Sequence, residues 1–264
     1  MQHLLTRISG AVDKLSYATG LKSKSRLCLP DFLGIGAQKS GTTWLAQNLR
    51  CHPEVYLPES KEIHYFNQNF HRSLQSYSEL FVAAADKTKG EITPAYTMLS
   101  RSRIKTVYRL MPNVRLFFMM RNPIERAWSQ AMMELVKRKG KELTDVPHDE
   151  FITFFRSDHS LLRGDYERSI NNWLSVFPEN QLLIGFFEEI SSDPKSLLLR
   201  VFEHLGVGQE VDWQTFPYQE KIFSGNQTSE IPPQIHNVLK DIYSDKIQSL
   251  ASRFGGHANA WCEG

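Results

Sequence analysis

The sequence predicts an α/β fold, in which one central parallel β-sheet is flanked by helices on both faces. Short apolar runs alternate with amphipathic stretches along the 264 residues, as expected when strands alternate with helices. The run VRLFFMM at residues 114–120 is apolar throughout, which is typical of a strand that is covered on both sides. With 41% hydrophobic residues the chain can bury a full core, and we predict one domain rather than two small ones.

The elements follow in chain order from apolar runs, helical periodicity, and Pro or Gly at the ends. Strands are predicted over residues 32–36, 90–93, 114–120 and 181–187. Helices are predicted over residues 42–50, 73–85, 102–111, 121–139, 149–155, 160–177, 195–205 and 232–254. Residues 206–230 have no clear periodicity, and so long a loop in a compact domain is typical of a functional or mobile segment.

Residues 1–28 form a basic N-terminal segment, helical or frayed, ahead of the predicted main domain at residues 29–264. Apolar residues recur there at helical spacing, among lysines and arginines that only Asp13 opposes. We favour a frayed helix over contact with a membrane surface. No stretch is apolar for the roughly 20 residues that span a bilayer, so no transmembrane segment is predicted.

The overall charge and the cysteines narrow the range of partners. The 31 Lys and Arg against 29 Asp and Glu give a net charge of +2, so no nucleic-acid partner is predicted. Cys28, Cys51 and Cys262 lie far apart, without the spacing of a zinc site or of a disulfide framework. We therefore predict structural thiols.

A glycine-framed turn, within GIGAQKSGTTWL, joins the first predicted strand to the first predicted helix. Such a turn directs backbone N–H groups and the positive end of the helix dipole at one point, which makes a cradle for phosphate or sulfate. Thr42 and Thr43 add hydroxyl donors. An ordinary strand-to-helix turn is the alternative, but it does not explain Lys39 between two glycines.

This turn differs from the GxxxxGK[ST] loop of nucleotide hydrolases in the position of its lysine. Gly36 and Gly41 keep that spacing, but Thr42 occupies the lysine position and Lys39 lies inside the loop. The strand VRLFFMM ends in Arg121 rather than in an aspartate that would hold magnesium. We therefore predict a P-loop-like domain that binds its anion without a metal.

Two segments resemble motifs of the sulfotransferases that use 3′-phosphoadenosine 5′-phosphosulfate (PAPS), in their carbohydrate and heparan-sulfate branch and its bacterial counterparts. QKSGTTWL is similar to the family's 5′-phosphosulfate loop, and RNPIERAWS, roughly 80 residues later, to its 3′-phosphate motif. The resemblance implies PAPS as the sulfuryl donor and no metal. In the first motif it implies donor contacts from Gln38, Lys39, Ser40, Gly41, Thr42, Thr43 and Trp44.

The resemblance also implies donor contacts outside the first loop. Arg121 and Ser129 would bind the 3′-phosphate, although Arg121 could instead pair with Glu125 one helical turn further on. Phe187 would pack against adenine, and Tyr166 is a further donor-site candidate. Packing in the core is the alternative for both aromatic residues.

The segment PESKEIHYFN resembles the KExHFF segment of the carbohydrate branch and supplies the predicted catalytic groups. The resemblance makes Glu62 the general base and puts Lys61 beside the sulfuryl group. His64 would orient the acceptor or act as the base itself, and we favour Glu62. Lys39 suits the charge that develops on the leaving oxygen. A solvated loop is the alternative for this segment.

The acceptor is the least defined part of the prediction. In EITPAY, Ile92 replaces a lysine of the family's EKTPxY segment, which takes one cation from the acceptor cleft. This favours a smaller or less charged hydroxyl acceptor over a highly anionic polysaccharide. Tyr65, Phe66 and Phe70 suggest an apolar cleft for a lipid or aromatic acceptor.

The predicted function is transfer of a sulfuryl group to a hydroxyl or amine of a small molecule or carbohydrate. A P-loop kinase or nucleotide hydrolase is one alternative, and a non-catalytic nucleotide- or glycan-binding module is another. Unpaired cysteines favour the cytoplasm of a bacterium, whereas a lumenal Golgi-type enzyme is expected if the chain is part of a longer one. The resemblance also implies a loop that closes on the 3′-phosphate, for which Lys221, Gly225 and Asn226 are the candidates.

Overall fold

A computed structural model describes residue 10 and residues 12–220 and 230–263. At its centre are the strands β1 Phe32–Gly36, β2 Val55–Tyr56, β3 Thr88–Ile92, β4 Arg115–Met120 and β5 Leu182–Phe186. They form one five-stranded sheet in the order β2-β3-β1-β4-β5, and every pairing is parallel. The predicted α/β fold with a parallel sheet is therefore confirmed.

Helices connect the strands and cover the sheet. The α-helices are α1 Thr42–Cys51, α2 Leu74–Ser78, α3 Arg101–Leu110, α4 Pro123–Ala131, α5 His148–Phe155, α6 Asp158–Gly164, α7 Tyr166–Leu174, α8 Glu189–Ser192, α9 Pro194–Leu205, α10 Pro233–Phe254 and α11 His257–Ala260. Short 3₁₀ turns are Glu79–Ala84, Pro94–Met98, Leu143–Asp145, Glu179–Gln181 and Trp213–Thr215, and α4 continues as a π-helix over Met132–Val136 and a 3₁₀ turn over Lys137–Lys139.

Alternate residues of β4 point to opposite faces of the sheet, and two apolar clusters cover those faces. Leu116, Phe118 and Met120 pack in the cluster that contains α4, α7 and α10. Phe117 and Met119 pack in the cluster that contains α1 and α9. This strand is apolar throughout because both of its faces are buried.

The order of the strands determines where a ligand can bind. From β1 the chain forms β2 and β3 on one side of the sheet and then returns to form β4 on the other side. The carboxyl ends of β1 and β4 are therefore neighbours at the point where the connections diverge, which is where open α/β sheets bind ligands. The predicted phosphosulfate loop follows β1, and Arg121 follows β4.

Some predicted helices differ in detail from the structure, and strand β2 was not predicted. The stretch 73–85 is a short α-helix followed by a 3₁₀ turn. The stretch 160–177 contains two helices, because the carboxylate of Asp165 accepts a hydrogen bond from Arg168 N and caps a new helix, α7. Strand β2 has only two residues, too few for a periodic signal.

Residues 12–18 of the N-terminal segment form a helix. Lys14 is buried, and its ammonium group donates to the carbonyls of Gly10 and Arg72 at 2.9 and 2.6 Å and lies 5.0 Å from the ring centroid of Tyr65. The division of the chain into a basic segment and a main domain stays a prediction. No helix within the described ranges has the length and apolar character needed to cross a membrane.

Candidate active site

A cleft of about 530 Å³ opens beside the turn after β1, at the carboxyl end of the sheet. Its walls come from that turn, from the segment between β2 and α2, from the end of α4, from the segment after β5, and from residues 218–220. The predicted site residues that line it are Gln38, Lys39, Gly41, Thr42, Thr43, Trp44, Lys61, Glu62 and Phe187.

Two residues of the turn after β1 have a left-handed backbone, Lys39 with φ 70° and Gly41 with φ 80°. Gly41 caps the N-terminus of α1. A Cβ atom on Gly41 would lie 2.3 Å from Cδ1 of Ile190, so the conformation favours glycine and a larger residue would displace the end of the Ile190 side chain. The turn thereby brings the N-terminus of α1, with its free N–H groups, to the wall of the cleft.

Two lysines line the cleft at this turn, namely Lys39 of the turn itself and Lys61 of the segment between β2 and α2. The ammonium group of Lys61 lies 3.3 Å from the hydroxyls of both Thr42 and Thr43. Burial lowers the pKa of Lys39 and of Lys61, and the cation of Arg121 lowers the pKa of Lys39 further. The pKa values fall because the two ammonium groups are buried close to other cations. A bound anion would relieve this repulsion, so the site favours an anion.

Arg121 connects the ends of three neighbouring strands. It follows β4, its Nη1 donates to the carbonyl of Lys39 after β1 at 3.4 Å, and its Cζ lies 4.4 Å from the ring centroid of Phe187 after β5. Nε and Nη2 also bond the carboxylate of Glu125 at 3.1 and 2.8 Å. Arg121 does not itself line the cleft, and the ion pair named as an alternative exists together with its contacts to Lys39 and Phe187, which do.

Ser40, Ser129 and Tyr166 are buried behind the cleft rather than in its wall. The hydroxyl of Tyr166 donates to the backbone carbonyl of Arg121 at 3.0 Å, and its ring packs edge-on against Phe118. Burial raises the pKa of Tyr166 to about 12, so the phenol is a neutral donor. Tyr166 thus holds the backbone of Arg121, and direct donor contacts from Ser129 and Tyr166 stay predictions.

The carboxylate of Glu62 lies between a lysine and a histidine. Oε1 is 3.2 Å from Nζ of Lys61, and Oε2 is 3.3 Å from Nε2 of His64. Nδ1 of His64 lies 3.2 Å from Nδ2 of Asn67, and with this assignment of the amide the ring accepts at Nδ1 and its Nε2–H points at Glu62. Glu62 lines the cleft and His64 does not.

Several residues of the cleft were not indicated by the sequence. The π-helical turn Met132–Val136 at the end of α4 precedes Arg138, and both Met133 and Arg138 line the cleft. The hydrophobic spacing of 121–139 fits a continuous α-helix, so it carries no signal for this turn. Trp44 of α1 attaches residues 218–220 of the cleft wall to this helix, because its Nε1 donates to the carbonyl of Tyr218 at 3.1 Å.

The predicted apolar acceptor cleft is wrong. Tyr65 and Phe66 are buried in the core, where Tyr65 stacks on Tyr77 with 4.1 Å between ring centroids. Phe70 packs against this core cluster from its edge. Ile92 is fully buried in the apolar cluster beneath α1 and α9, so position 92 contributes packing rather than a side chain in the cleft.

Across the described parts of the chain, no group of three or more His, Cys, Asp or Glu side chains is arranged to hold a metal ion. Cys28, Cys51 and Cys262 are free thiols. The candidates for a closing loop, Lys221, Gly225 and Asn226, lie outside the described residues.

Comparison with known proteins finds relatives over most of the chain. Residues 29–250 match the family described as Sulfotransferase domain. Heparan sulfate glucosamine 3-O-sulfotransferase 3B1 of Mus musculus is 30% identical over 229 residues, which cover 82% of this chain and 54% of that protein. The chain thus spans about half the length of the curated relatives it matches.

Solved structures share the fold. A sulfotransferase from Alicyclobacillus acidocaldarius superposes with a TM-score of 0.69 at 23% identity, over 88% of this chain and 98% of that one. Mouse sulfotransferase SULT7A1, solved in complex with PAP (3′-phosphoadenosine 5′-phosphate), superposes with a TM-score of 0.56 at 15% identity. The match covers 89% of this chain and 88% of that one. The family match includes both motifs and the whole sheet, and this chain therefore belongs to the sulfotransferase domain family.

Proposed function

We propose that this chain transfers a sulfuryl group from PAPS to a hydroxyl, or to an amine, of a carbohydrate or smaller acceptor. The observation that carries the proposal is the contact between Lys39 and Arg121, which joins two cationic turns at the switch point of a parallel sheet. A nucleotide with a 5′-phosphosulfate and a 3′-phosphate needs two anion sites a ribose apart, and two such turns can supply them.

The side chains present fit this nucleotide. Lys39, Lys61 and the N-terminus of α1 offer cations and N–H donors for the phosphosulfate, with help from the threonine hydroxyls. Arg121 uses three of its five N–H donors on Glu125 and Lys39 and offers the other two to the 3′-phosphate, and the ring of Phe187 offers a face for adenine. PAPS would supply an activated sulfuryl group.

Glu62 is the proposed general base. It lines the cleft, whereas His64 bonds its second oxygen from behind, so we assign His64 to orienting the carboxylate. The acceptor hydroxyl gives its proton to Glu62 as its oxygen bonds to sulfur, and the bond from sulfur to the 5′-phosphate oxygen breaks with its electron pair. Lys39 and Lys61 stabilise the charge that this leaving oxygen gains.

The acceptor is proposed to be a carbohydrate hydroxyl. The mouse relative is named for a glucosamine of heparan sulfate. The cleft of this chain also has Pro94, Met133 and Arg138 in its wall, so it offers apolar surface and a further cation to a sugar. The free thiols support a reducing compartment such as the bacterial cytoplasm, and a Golgi lumen is the competing proposal.

The test is a transfer assay with ³⁵S-labelled PAPS and a panel of acceptors, namely heparan, chondroitin and neutral oligosaccharides, a phenol and a glycolipid. We expect label on a carbohydrate. Lys39→Met and Glu62→Gln should lower turnover at least about 100-fold, the usual effect of removing a charge-stabilising group or a base. Lys105→Met, at an exposed lysine of α3, is the matched control.

The outcomes separate the competing functions. A binding module would bind the nucleotide and label no acceptor in any variant. A phosphoryl-transfer enzyme would label acceptors from γ-³²P-ATP with magnesium and not from PAPS. Label on the phenol or glycolipid alone would contradict the carbohydrate acceptor and leave sulfuryl transfer in place.

A further inference from the structure

The segment that carries the proposed catalytic groups has no regular secondary structure. Residues 61–64 lie outside any helix or strand, and His64 has a left-handed backbone with φ 56°. A segment without its own hydrogen-bond ladder must be held by its surroundings if Glu62 and His64 are to stay 3.3 Å apart. The groups that hold it come from the end of β3 and the turn that follows.

The hydroxyl of Thr93 binds two consecutive amides of this segment. Thr93 Oγ1 accepts from Ile63 N at 3.1 Å and from His64 N at 3.3 Å. Thr93 is itself fixed to the sheet, because its backbone N–H donates to Gly34 of β1 at 2.9 Å. The backbone that leads into His64 is therefore attached to the central strand through one hydroxyl.

A second hydroxyl binds the segment two residues further on. Tyr96 Oη accepts from Phe66 N at 3.3 Å. Each hydroxyl also donates a hydrogen bond, and both donate to Glu91. Thr93 Oγ1 donates to Oε2 at 2.5 Å, and Tyr96 Oη donates to Oε1 at 2.7 Å. Glu91 is fully buried.

The chemical nature of the group at position 91, carboxylate or amide, therefore sets the direction of both hydrogen-bond chains. A carboxylate accepts at both oxygens, so it turns both hydroxyls into acceptors for the amides of 63, 64 and 66. Burial raises the pKa of Glu91, and the hydrogen bonds from Thr93, Tyr96 and Tyr77 oppose that rise. An amide in its place would have the same size but would present N–H₂ to one hydroxyl and reverse it.

We propose that Glu91 is a positioning residue for the reaction, which acts through Thr93 and Tyr96, and through its own 3.4 Å hydrogen bond from Ile63 N, to keep Glu62 and His64 in contact. The proposal rests on the proposed function for its kinetic consequence. Its structural consequence, a fixed contact between His64 and Glu62, does not depend on which reaction the site performs. Glu91, Thr93 and Tyr96 do not line the cleft themselves.

Thr93→Val and Thr93→Ser form the decisive pair. Valine has the size of threonine but no hydroxyl, and serine retains the hydroxyl. We expect Thr93→Val and Glu91→Gln to lower kcat about 10-fold or more, to leave the Kd for PAP within about twofold of the parent value, and to change the shape of the pH profile of kcat. Thr93→Ser should recover most of the loss.

Tyr77→Phe is the matched control. Tyr77 Oη also donates to Oε1 of Glu91, at 2.8 Å, but it contacts no amide of the 61–66 segment. It should therefore leave kcat near the parent value. If Thr93→Val lowers kcat and the melting temperature and also raises the Kd for PAP, the residue is merely structural. If kcat stays at the parent value, the proposal is also overturned.

A second readout separates this proposal from the function of the site. Side-chain ¹H–¹⁵N spectra of histidine report the ring of His64 in the full chain without any substrate. The proposal predicts a changed His64 signal in Thr93→Val and Glu91→Gln, and an unchanged one in Thr93→Ser and Tyr77→Phe. An unchanged signal in the first two would overturn it. A protein that shows the changed signal but transfers no sulfuryl group would contradict the proposed function alone.

Discussion

Nη1 of Arg121 donates a hydrogen bond to the backbone carbonyl of Lys39 at 3.4 Å, so one side chain joins the turns that follow β1 and β4. The same guanidinium lies over the ring of Phe187, which follows β5. Because β1, β4 and β5 are neighbours in the sheet, Arg121 is at the centre of the proposed donor site.

Removing this guanidinium should weaken the binding of PAP. A hydrogen bond to a charged group contributes about 1.5–3 kcal/mol, so Arg121→Ala should raise the Kd about 10- to 150-fold in titration calorimetry. Arg121→Lys should recover only part of the loss, because an ammonium lacks the planar fork. Arg101→Ala, at an exposed arginine of α3, is the control. An unchanged Kd in Arg121→Ala would mean that the nucleotide binds elsewhere.

The lowered pKa values of Lys39 and Lys61 predict a specific alkaline limb in the pH profile. Both lysines must be protonated to stabilise the leaving charge, so kcat/KM, which reports the free enzyme, should fall at a pH below the ordinary lysine value of 10.5. Bound nucleotide adds negative charge and favours the protonated lysines, so the limb of kcat should lie at higher pH. Lys39→Arg should move the limb of kcat/KM upward, and identical limbs in both enzymes would exclude Lys39 as its source.

Two glycines with left-handed backbone provide a matched pair for the donor turn. Gly140→Ala adds a Cβ with no atom within 4 Å at φ 61°, so it should cost only the backbone strain of about 1–2 kcal/mol. Gly41→Ala adds the same strain and a contact with Ile190, and should lower stability further in urea unfolding. Only Gly41→Ala should weaken PAP binding. Equal effects of the two variants on stability and binding would contradict a packed turn.

Lys14 predicts a pH dependence of stability. Burial lowers its pKa to about 8, although Asp13 opposes the shift and Arg103 adds to it. Between about pH 8 and 10.5 the unfolded chain holds a proton that the folded chain has lost, so the free energy of unfolding should rise with pH across this window. Lys14→Met should remove that rise in denaturant titrations, and Lys105→Met should not. The same rise in Lys14→Met would assign the effect to other groups.

The sheet and the donor turn could be predicted because their signals are local. A strand such as 114–120 is apolar throughout, and a turn such as GAQKSG carries its glycines and lysine within a few residues. Strand β2 and the helix break at Asp165 carry weaker signals, because two residues have no period and a capping aspartate in a long periodic stretch resembles a solvated side chain.

Contacts over long sequence distances could not be predicted in this way. Tyr65 and Phe66 follow the proposed catalytic segment, but an aromatic residue in a cleft and one in a core have the same sequence pattern. No sequence pattern singles out Glu91 beside Ile92, although alternation along β3 puts residues 91 and 93 on the same face. Its proposed role depends on the 61–66 segment folding against that face, which only the tertiary structure shows.

The most direct test of a PAPS site is the shift in melting temperature with PAP, compared with ATP and magnesium. A ligand at 100 times its Kd stabilises the folded state by about 2.7 kcal/mol, which is readily measured. We predict a clear shift with PAP that is lost in Arg121→Ala, and none with ATP and magnesium. A shift with ATP and magnesium but none with PAP would contradict the account and favour a kinase-like site around Lys39.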